Sequence, residues 1–451
     1  MSTGDAMNIA SYLANVIDEI GATSIDEEDR VIVRGHMLDA IASAFVGCRN
    51  KALEALVKLC PKTSEGLGWP GGGPEMVAPL DGGMVWSFAV NASVYEDGSR
   101  EGACHPGAVV IPTIIALSKG RSWERIDRAV IAGYEAMVRL ARGGNPEFTR
   151  RGFHPTAIVA PFGAAATASV LLEYDPPTTQ NALCLAALGS SGLMSAFRSG
   201  QTQPLQVAWS VRNGISAALI AGTGHRGHGR IFEEGFYPAY LGKLPDPPID
   251  KPLEKKTAIR GGYLKPYPGC RHIHPSIDAL VEALQGSPIE PSQIRGIKVR
   301  TYRIAVETEI HPVKERGDAY FNIPYALAAR IVLGSNDWDA FDERHFNNET
   351  IVEIMKKVEV KIDPEVEGLY PRQRGSIVEI DVGRKEPLYG KVTHPLGEPE
   401  NPLPSSLIVE KFRRAAAPFL SEKTMERMES VLEISPLAPS ADTLFEGLCG
   451  G

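Results

Sequence analysis

Residues 263–280, YLKPYPGCRHIHPSIDAL, carry a high density of groups that could do chemistry. Five of them fall within ten positions, just before an apolar stretch: Lys265, Cys270, Arg271, His272 and His274. Lysine and arginine can hold an anion, and the planar arginine fork suits a carboxylate because it donates two parallel hydrogen bonds. Histidine titrates near neutral pH, so it can move a proton. The stretch therefore predicts a site that binds an anion and transfers a proton.

Two other segments carry histidines in suggestive surroundings. In YEDGSREGACHPGAVVIPT, small turn-forming residues separate Asp97 from His105. In RGFHPTA, Pro155 suits the first position of a helix, which puts His154 at or beside the N-cap. Unpaired N–H groups at a helix start attract anions and disfavour a charged imidazole, so a neutral histidine there could act as a general base. The pair His274–Pro275 repeats this pattern.

The same residues have plainer interpretations. Five of the ten histidines precede proline, and such a histidine is more often a capping or packing residue than a catalyst. Asp97 is as typical of a turn as of a site. His272 and His274 lack carboxylates or cysteines at ligand spacing, as do the other closely spaced histidines, so we predict no metal site. Cys270 has no base partner in the sequence that would make it a nucleophile.

Composition narrows the class of protein. The chain has 451 residues, of which 43% are hydrophobic and 23% charged, with a formal net charge of -8 and no long block of one sign. This predicts neither a nucleic-acid partner nor an anionic membrane surface. We see no signal-peptide pattern and no apolar run of the roughly 20 residues that a membrane span needs, so we expect a cytoplasmic protein. The six cysteines form no C-x-x-C pair, which argues against a disulfide framework, a structural zinc site or an iron–sulfur cluster.

Two periodicities divide the chain. Up to about residue 240, apolar residues recur at helical spacing, as in 27–50, 123–144, 155–174 and 205–222. A stretch rich in proline and charge, 244–262, predicts a linker. Beyond it, IRGIKVRTY, KKVEVKI and SIVEIDV alternate like half-buried strands, and 406–434 returns to helix. We predict a mainly α protein with an α+β part: a helical domain of 1–262 and 396–451, to which the C-terminal helices return, and a smaller α+β lid domain of 263–395.

Taken in chain order, several segments resemble one family. They are HPGAVVIPT, GYEAMVRLARG, RGFHPTAIVAPFGAAATASVLL, LGSSGLMSAF and KPYPGCRHIHPSIDAL, with HMLDAIASAFVG before them and IPYALAARIVLG, HPLGEPENPLP and KFRRAAAPFL after. Together they resemble the MmgE/PrpD family, whose members include 2-methylcitrate dehydratase, cis-aconitate decarboxylase and iminodisuccinate epimerase. The resemblance spans nearly the whole chain. It implies a helical domain joined to a smaller α+β lid, a homodimer, a small anionic carboxylate substrate, and catalysis without metal or organic cofactor.

The resemblance also suggests which residues form the site. The predicted catalytic residues are His105, His154, Lys265 and Asp97, and the predicted substrate-binding residues are Arg271, His274, Gln203 and Cys270. Three positions depart from the family pattern. Asn91 and Val94 stand where a histidine and an aspartate are usual, and Gln203 replaces a lysine. Because a charged lysine and a carboxylate are missing, the well-known substrates of the family do not follow directly for this chain.

The expected chemistry is removal of a proton from carbon next to a carboxylate. The negative charge that forms must be stabilised, and Lys265 and Arg271 would supply positive charge. One of His105 and His154 would be the base and the other the acid, while Asp97 would orient a histidine or hold its loop. Departure of a β-group or of carbon dioxide would make the protein a lyase, which we favour, and return of the proton from the opposite face would make it an epimerase. A catalytically reduced relative that binds a carboxylate is a third alternative.

Overall fold

The structure is a computed structural model that describes residues 8–64, 66–72, 75–198, 201–285 and 289–430. Helices hold 57% of the residues and strands 9%, which confirms the predicted class, mainly α with an α+β part. Contacts divide the chain into two compact units. Met1–Tyr263 with Pro404–Gly451 forms the first, here called the helical unit, and Leu264–Leu403 forms the second, the α+β unit.

The helical unit is built almost entirely from helices. Before the α+β unit these are α1 (Ile9–Ala22), α2 (Glu27–Gly47), α3 (Lys51–Leu59), α4 (Pro79–Ala92), α5 (Gly107–Leu117), α6 (Trp123–Arg142), α7 (Glu147–Arg150), α8 (Pro155–Leu171), α9 (Pro176–Ala186), α10 (Pro204–Gly222) and α11 (Tyr237–Leu241). Two short antiparallel pairs accompany them, β1 (Lys62–Thr63) with β2 (Met76–Val77), and β3 (Gly98–Ser99) with β4 (Gly262–Tyr263). Among the described residues, no single helix combines the length and the apolar character needed to cross a membrane. Helices α2 and α3 reach that length and composition only when they are counted together, and they are bent by 97°.

The core of this unit lies around α8. Every residue of α8 is buried, as its alanine- and glycine-rich sequence predicts, because small side chains let α6 and α10 pack closely against it. Helix α2 begins after Asp26, which caps the N–H of Asp29, and ends at Gly47, where the helical spacing of apolar residues also stops. Apolar spacing places Val31 on the same helical stripe as Met37 and Leu38, yet Val31 is 44% exposed, because the first turns of α2 lie at the surface and continuous burial starts only at Val33.

The C-terminal helices α18 (Ser405–Ala416) and α19 (Glu422–Glu429) belong to the helical unit. Helix α18 packs on α2, and a buried ion pair joins them: Lys411 Nζ donates to Asp39 Oδ1 at 2.6 Å. The same ammonium donates to the carbonyl oxygen of Tyr95 at 2.7 Å and lies 3.6 Å from the centre of its ring. Lys411 therefore fixes the loop between α4 and α5, which carries Asp97 and His105.

The stretch predicted as a linker, 244–262, is packed instead against the helical unit. The buried Arg142 donates to carbonyl oxygens of this stretch, among them those of Lys251 at 2.6 Å and Pro252 at 2.9 Å. Glu135 accepts the backbone N–H of Ala258 at 2.7 Å. An irregular, proline-rich backbone has unpaired polar groups, and here buried charged side chains of α6 satisfy them.

The α+β unit contains one four-stranded sheet. Its elements are α12 (His274–Leu284), β5 (Gly296–Thr301), α13 (Arg303–Glu307), α14 (Arg316–Ala319), α15 (Ile323–Leu333), α16 (Glu349–Met355), β6 (Val358–Ile362), α17 (Pro364–Leu369), β7 (Ser376–Asp381) and β8 (Leu388–Val392). The strand order is β6-β5-β7-β8, with β5 parallel to β6 and antiparallel to β7. The three predicted strands are present, whereas β8 was missed. Its Gly390 allows close packing on α12, since a Cβ there would lie 2.0 Å from the carbonyl oxygen of Ala279. The same glycine interrupts the alternation of apolar and polar residues by which a strand is predicted.

Candidate active site

The loop between α4 and α5 orients His105 through the backbone of Asp97. The Nδ1 atom of His105 lies 2.6 Å from the carbonyl oxygen of Asp97. A carbonyl oxygen can only accept, so Nδ1 carries the proton. In the neutral ring the lone pair is therefore on Nε2, and 27% of the His105 side chain is exposed. His105 is thus held in the tautomer that a proton acceptor needs at Nε2.

The side chain of Asp97 is held by three donors. Its Oδ1 accepts the N–H of Gly107 at 2.8 Å, at the start of α5, where a Cβ would come within 2.5 Å of that oxygen. Its Oδ2 accepts the hydroxyl of Tyr134 at 2.7 Å and lies 2.9 Å from His36 Nδ1. Burial alone would raise the pKa of Asp97, but the bonds from His36, Tyr134 and Gly107 outweigh it and the pKa is lowered. Asp97 is therefore a buried carboxylate that fixes the loop.

A second chain of polar groups lies near His105. Glu96 Oε1 lies 3.9 Å from His105 Nδ1 and accepts the amide of Asn91 at 2.8 Å. Asn91 in turn accepts the amide of Gln203 at 3.1 Å. All three side chains of this chain are buried. Gln203, predicted to bind substrate, thus has a structural partner, and Asn91 and Gln203 form a neutral network beside the Glu96 carboxylate.

His154 lies at the N-cap of α8, as its position before Pro155 predicts. Its backbone N–H donates to the carbonyl of Gly192, and its ring packs edge-on against Phe197 with centroids 4.8 Å apart. Burial and, to a smaller extent, the nearby His105 together lower the pKa of His154 to about 3. The ring is therefore neutral at physiological pH, but a group with so low a pKa is a weak general base.

Helix α8 also brings the two histidines together. The backbone N–H of His105 donates to Thr156 Oγ1 at 3.2 Å, and Thr156 is two residues beyond His154. The electrostatic effect of His105 on the pKa of His154 agrees with this proximity. Three predicted catalytic residues, His105, His154 and Asp97, thus share one part of the helical unit.

The remaining predicted residues lie in the α+β unit, where Arg271 and His274 contact each other and Arg271 also contacts other residues of the unit. Arg271 Nε donates to Glu398 at 3.0 Å, and its Nη1 donates to the carbonyl of Leu396 at 3.0 Å and to His274 Nδ1 at 3.1 Å. These bonds fix the turn that contains Leu396 and Glu398. Most of the donors expected to bind a carboxylate are therefore engaged within the unit itself.

The other two residues of this stretch are also enclosed. Lys265 is 1% exposed and follows β4 by two residues. Burial raises the pKa of the Cys270 thiol, which disfavours the thiolate that a nucleophile requires. Within the described ranges, no three His, Cys, Asp or Glu side chains are grouped so that they could hold a metal ion.

Sequence reasoning missed four residues of the helical unit that contact the candidate groups: His36, Tyr134, Thr156 and Gln206. His36 and Tyr134 are the most informative of these, because each is a polar group on a buried stretch of helix. That pattern was the only available signal, since their partner Asp97 is 61 residues from His36 and 37 from Tyr134.

Comparison with known proteins places these residues in a family. Residues 11–247 match the model of the MmgE/PrpD N-terminal domain and residues 267–434 that of the MmgE/PrpD C-terminal domain. A cis-aconitate decarboxylase of Aspergillus terreus is 24% identical, over 96% of this chain and 95% of its own. The human cis-aconitate decarboxylase is 24% identical over 90% of this chain and 87% of its own. The mouse protein of the same name is 23% identical over 88% of this chain and 84% of its own.

Proposed function

Because the chain belongs to the MmgE/PrpD family, we propose that it is a lyase that removes carbon dioxide from a small unsaturated di- or tricarboxylate. Relatives of similar length that are named cis-aconitate decarboxylase support this reaction class, and make cis-aconitate the first substrate to test. The observation that carries the proposal is the pairing of His105 with His154. The neutral imidazole of His105 has its lone pair at Nε2, and the imidazole of His154 is kept neutral by burial.

His105 is the group that exchanges a proton with the substrate. When carbon dioxide leaves, the carbon–carbon bond to that carboxylate breaks and its electron pair stays with the substrate. The pair shifts through the neighbouring double bond, and a proton is taken up at a carbon next to a remaining carboxylate. One proton enters for each carbon dioxide released, so the step is balanced. Protonated His105 would deliver that proton from Nε2 and recover a proton from solvent, to which part of its side chain is exposed.

The charge that develops on the substrate requires donors that are already in place. His154 is suited to this because it is neutral and adds no competing base. We also propose Lys265 as a source of positive charge, on the family resemblance. Lys265→Met should then raise KM or lower kcat while the protein stays folded, and an unchanged kcat/KM would remove Lys265 from the mechanism.

The test is proton NMR of the purified protein in D₂O with cis-aconitate, 2-methylcitrate, citrate and iminodisuccinate. Loss of carbon dioxide, with deuterium on the carbon next to a carboxylate of the product, is the expected result. His105→Gln should lower kcat by about 10²–10⁴-fold, the usual contribution of a positioned acid–base group. The matched control is His225→Gln, since His225 is an exposed histidine of the same unit and should leave kcat unchanged.

A second candidate function is epimerisation of a dicarboxylate. The same two imidazoles favour it, because removal and return of one proton needs only an acceptor and a donor near one carbon. Deuterium exchange and inversion without loss of carbon dioxide would identify this reaction. Loss of water would indicate a dehydratase. Binding of these acids without exchange or product would contradict catalysis on them and favour a carboxylate-binding protein.

A further inference from the structure

Gln206, on α10, lies between His154 and the backbone of Leu193. Its Oε1 lies 2.8 Å from the N–H nitrogen of Leu193, and its Nε2 lies 3.3 Å from the carbonyl oxygen of the same residue. A backbone N–H can only donate and a carbonyl can only accept. Turning the amide over would place two donors together and two acceptors together, so Leu193 fixes which end of Gln206 is the nitrogen.

That fixed orientation determines the proton position on His154. Gln206 Nε2 lies 3.1 Å from His154 Nδ1, and an amide nitrogen does not accept a hydrogen bond, so Nδ1 must be the acceptor. A neutral imidazole carries one proton, which is then on Nε2. Burial and, to a smaller extent, the nearby titratable His105 lower the pKa of this ring to about 3. The neutral form therefore dominates near pH 7. Among the described residues, Nε2 of His154 makes no hydrogen bond.

We propose that Gln206 is a positioning residue that holds His154 as the Nε2–H tautomer, a neutral hydrogen-bond donor for a carboxylate or enolate oxygen of the substrate. The two histidines are then complementary at the same ring position. His105 donates through Nδ1 to the Asp97 carbonyl and has its lone pair on Nε2, whereas His154 accepts at Nδ1 and has its proton on Nε2. The catalytic meaning of this arrangement rests on the proposed function, but the tautomer itself does not.

The tautomer can be measured directly. In ¹⁵N–¹H correlation spectra of the ¹⁵N-labelled protein near pH 7.5, an imidazole nitrogen with a lone pair is distinguished by its shift from one that bears a proton. We expect Nδ1 of His154 to be of the lone-pair type and Nε2 of the protonated type, with the signals assigned by their loss in His154→Gln. The opposite pattern, or a doubly protonated ring, in the unaltered protein would overturn the proposal.

Gln206→Glu tests the cause. A carboxylate can accept but cannot donate, so it would require a proton on His154 Nδ1, either by a switch of tautomer or by protonation of the ring. We expect the Nδ1 signal to change to the protonated type. Gln180→Glu, the same change at a half-buried glutamine of α9, should leave it unchanged. If Gln206→Glu does not fold, Gln206→Leu should give a mixture of tautomers, and a spectrum like that of the unaltered protein in either folded variant would overturn the role of Gln206.

Kinetics separate a positioning role from a structural one. If His154 donates from Nε2, Gln206→Glu should lower kcat by about 10²-fold, the usual loss for one preorganised donor, and Gln180→Glu should change it by less than about twofold. A switched tautomer with full activity would contradict the donor role of His154. An unaltered protein that turns over none of the acids tested would instead contradict the proposed function, while the spectra would still decide the tautomer.

Discussion

The buried ion pair between α18 and α2 makes a quantitative prediction about stability. Lys411→Met keeps a side chain of similar length but removes the ammonium that bonds to Asp39 at 2.6 Å and to the Tyr95 carbonyl at 2.7 Å. The side chains of Lys411 and Asp39 are 3% and 0% exposed, so water cannot replace the lost donor. The substitution therefore leaves a buried carboxylate and a buried carbonyl without their cation.

Removing one partner of a buried pair typically costs about 3–5 kcal/mol. The helical unit has roughly 300 residues, for which the unfolding entropy is about 0.6 kcal/mol per kelvin. The expected decrease in Tm is therefore about 5–8 °C. Burial already raises the pKa of Asp39, although Lys411 opposes this, and removal of Lys411 should raise it further. A raised pKa in the folded state destabilises the protein as pH rises above the unfolded value near 3.8, so the effect should be larger at pH 8 than at pH 5.

The assay is differential scanning calorimetry of three variants beside the unaltered protein. Lys423→Met is the matched control, since Lys423 is exposed on α19 and its loss should change the Tm by about 1 °C or less. Lys411→Met combined with Asp39→Leu removes both charges and should restore a large part of the lost stability, because a buried pair can be replaced by apolar groups. A decrease in Tm for Lys411→Met no larger than that for Lys423→Met would refute the reasoning.

Three further predictions concern the surroundings of the site. The pKa of His154 is about 3 when folded and near 6.5 when unfolded, so the unfolded chain binds more protons below pH 6.5 and stability is lost as pH falls through that value. The free energy of unfolding, measured by urea titration, should be about 2 kcal/mol lower at pH 5 than above pH 6.5 because of this group. This contribution should be absent in His154→Gln. Tyr134→Phe removes a buried donor to Asp97 and should cost about 1–3 kcal/mol in the same titration, whereas no loss would show that the bond is dispensable. Ala103 has φ +50, so Ala103→Gly should be neutral or stabilising by up to about 1 kcal/mol. The control is Ala55→Gly on the exposed face of α3, which should lower the free energy of unfolding by about 1 kcal/mol. An equal loss in Ala103→Gly would contradict backbone strain at Ala103.

The sequence could predict features that depend on neighbouring residues. His154 before Pro155 indicated a helix start, and the structure places His154 at the N-cap of α8. Asp97 is expected either to orient a histidine or to hold the loop; its backbone carbonyl accepts from His105, and its carboxylate accepts the N–H of Gly107. Each of these interactions spans ten residues or fewer, so turn and capping chemistry was sufficient to anticipate it.

Features that depend on distant partners could not be predicted in this way. The type and neighbours of Arg271 predict an anion site, but they do not reveal its carboxylate partner Glu398, which is 127 residues further along the chain. His36 gave no signal beyond a polar residue within a buried helix, because its partner Asp97 is chosen by the packing of α2 against the loop before α5. Composition indicates which side chains can hold charge, whereas the tertiary fold decides which charges are already satisfied.

The bond from Lys411 to Tyr95 also has a consequence for biosynthesis. The two residues are 316 positions apart, which at 5–20 residues per second means that roughly 15–60 s pass between their appearance on the ribosome. During that interval Asp39 has no Lys411 to neutralise it, and the loop that carries Asp97 and His105 lacks one of its anchors. All residues of the α+β unit emerge before α18 is synthesised, so the unit that occupies the middle of the chain is the first whose sequence is complete.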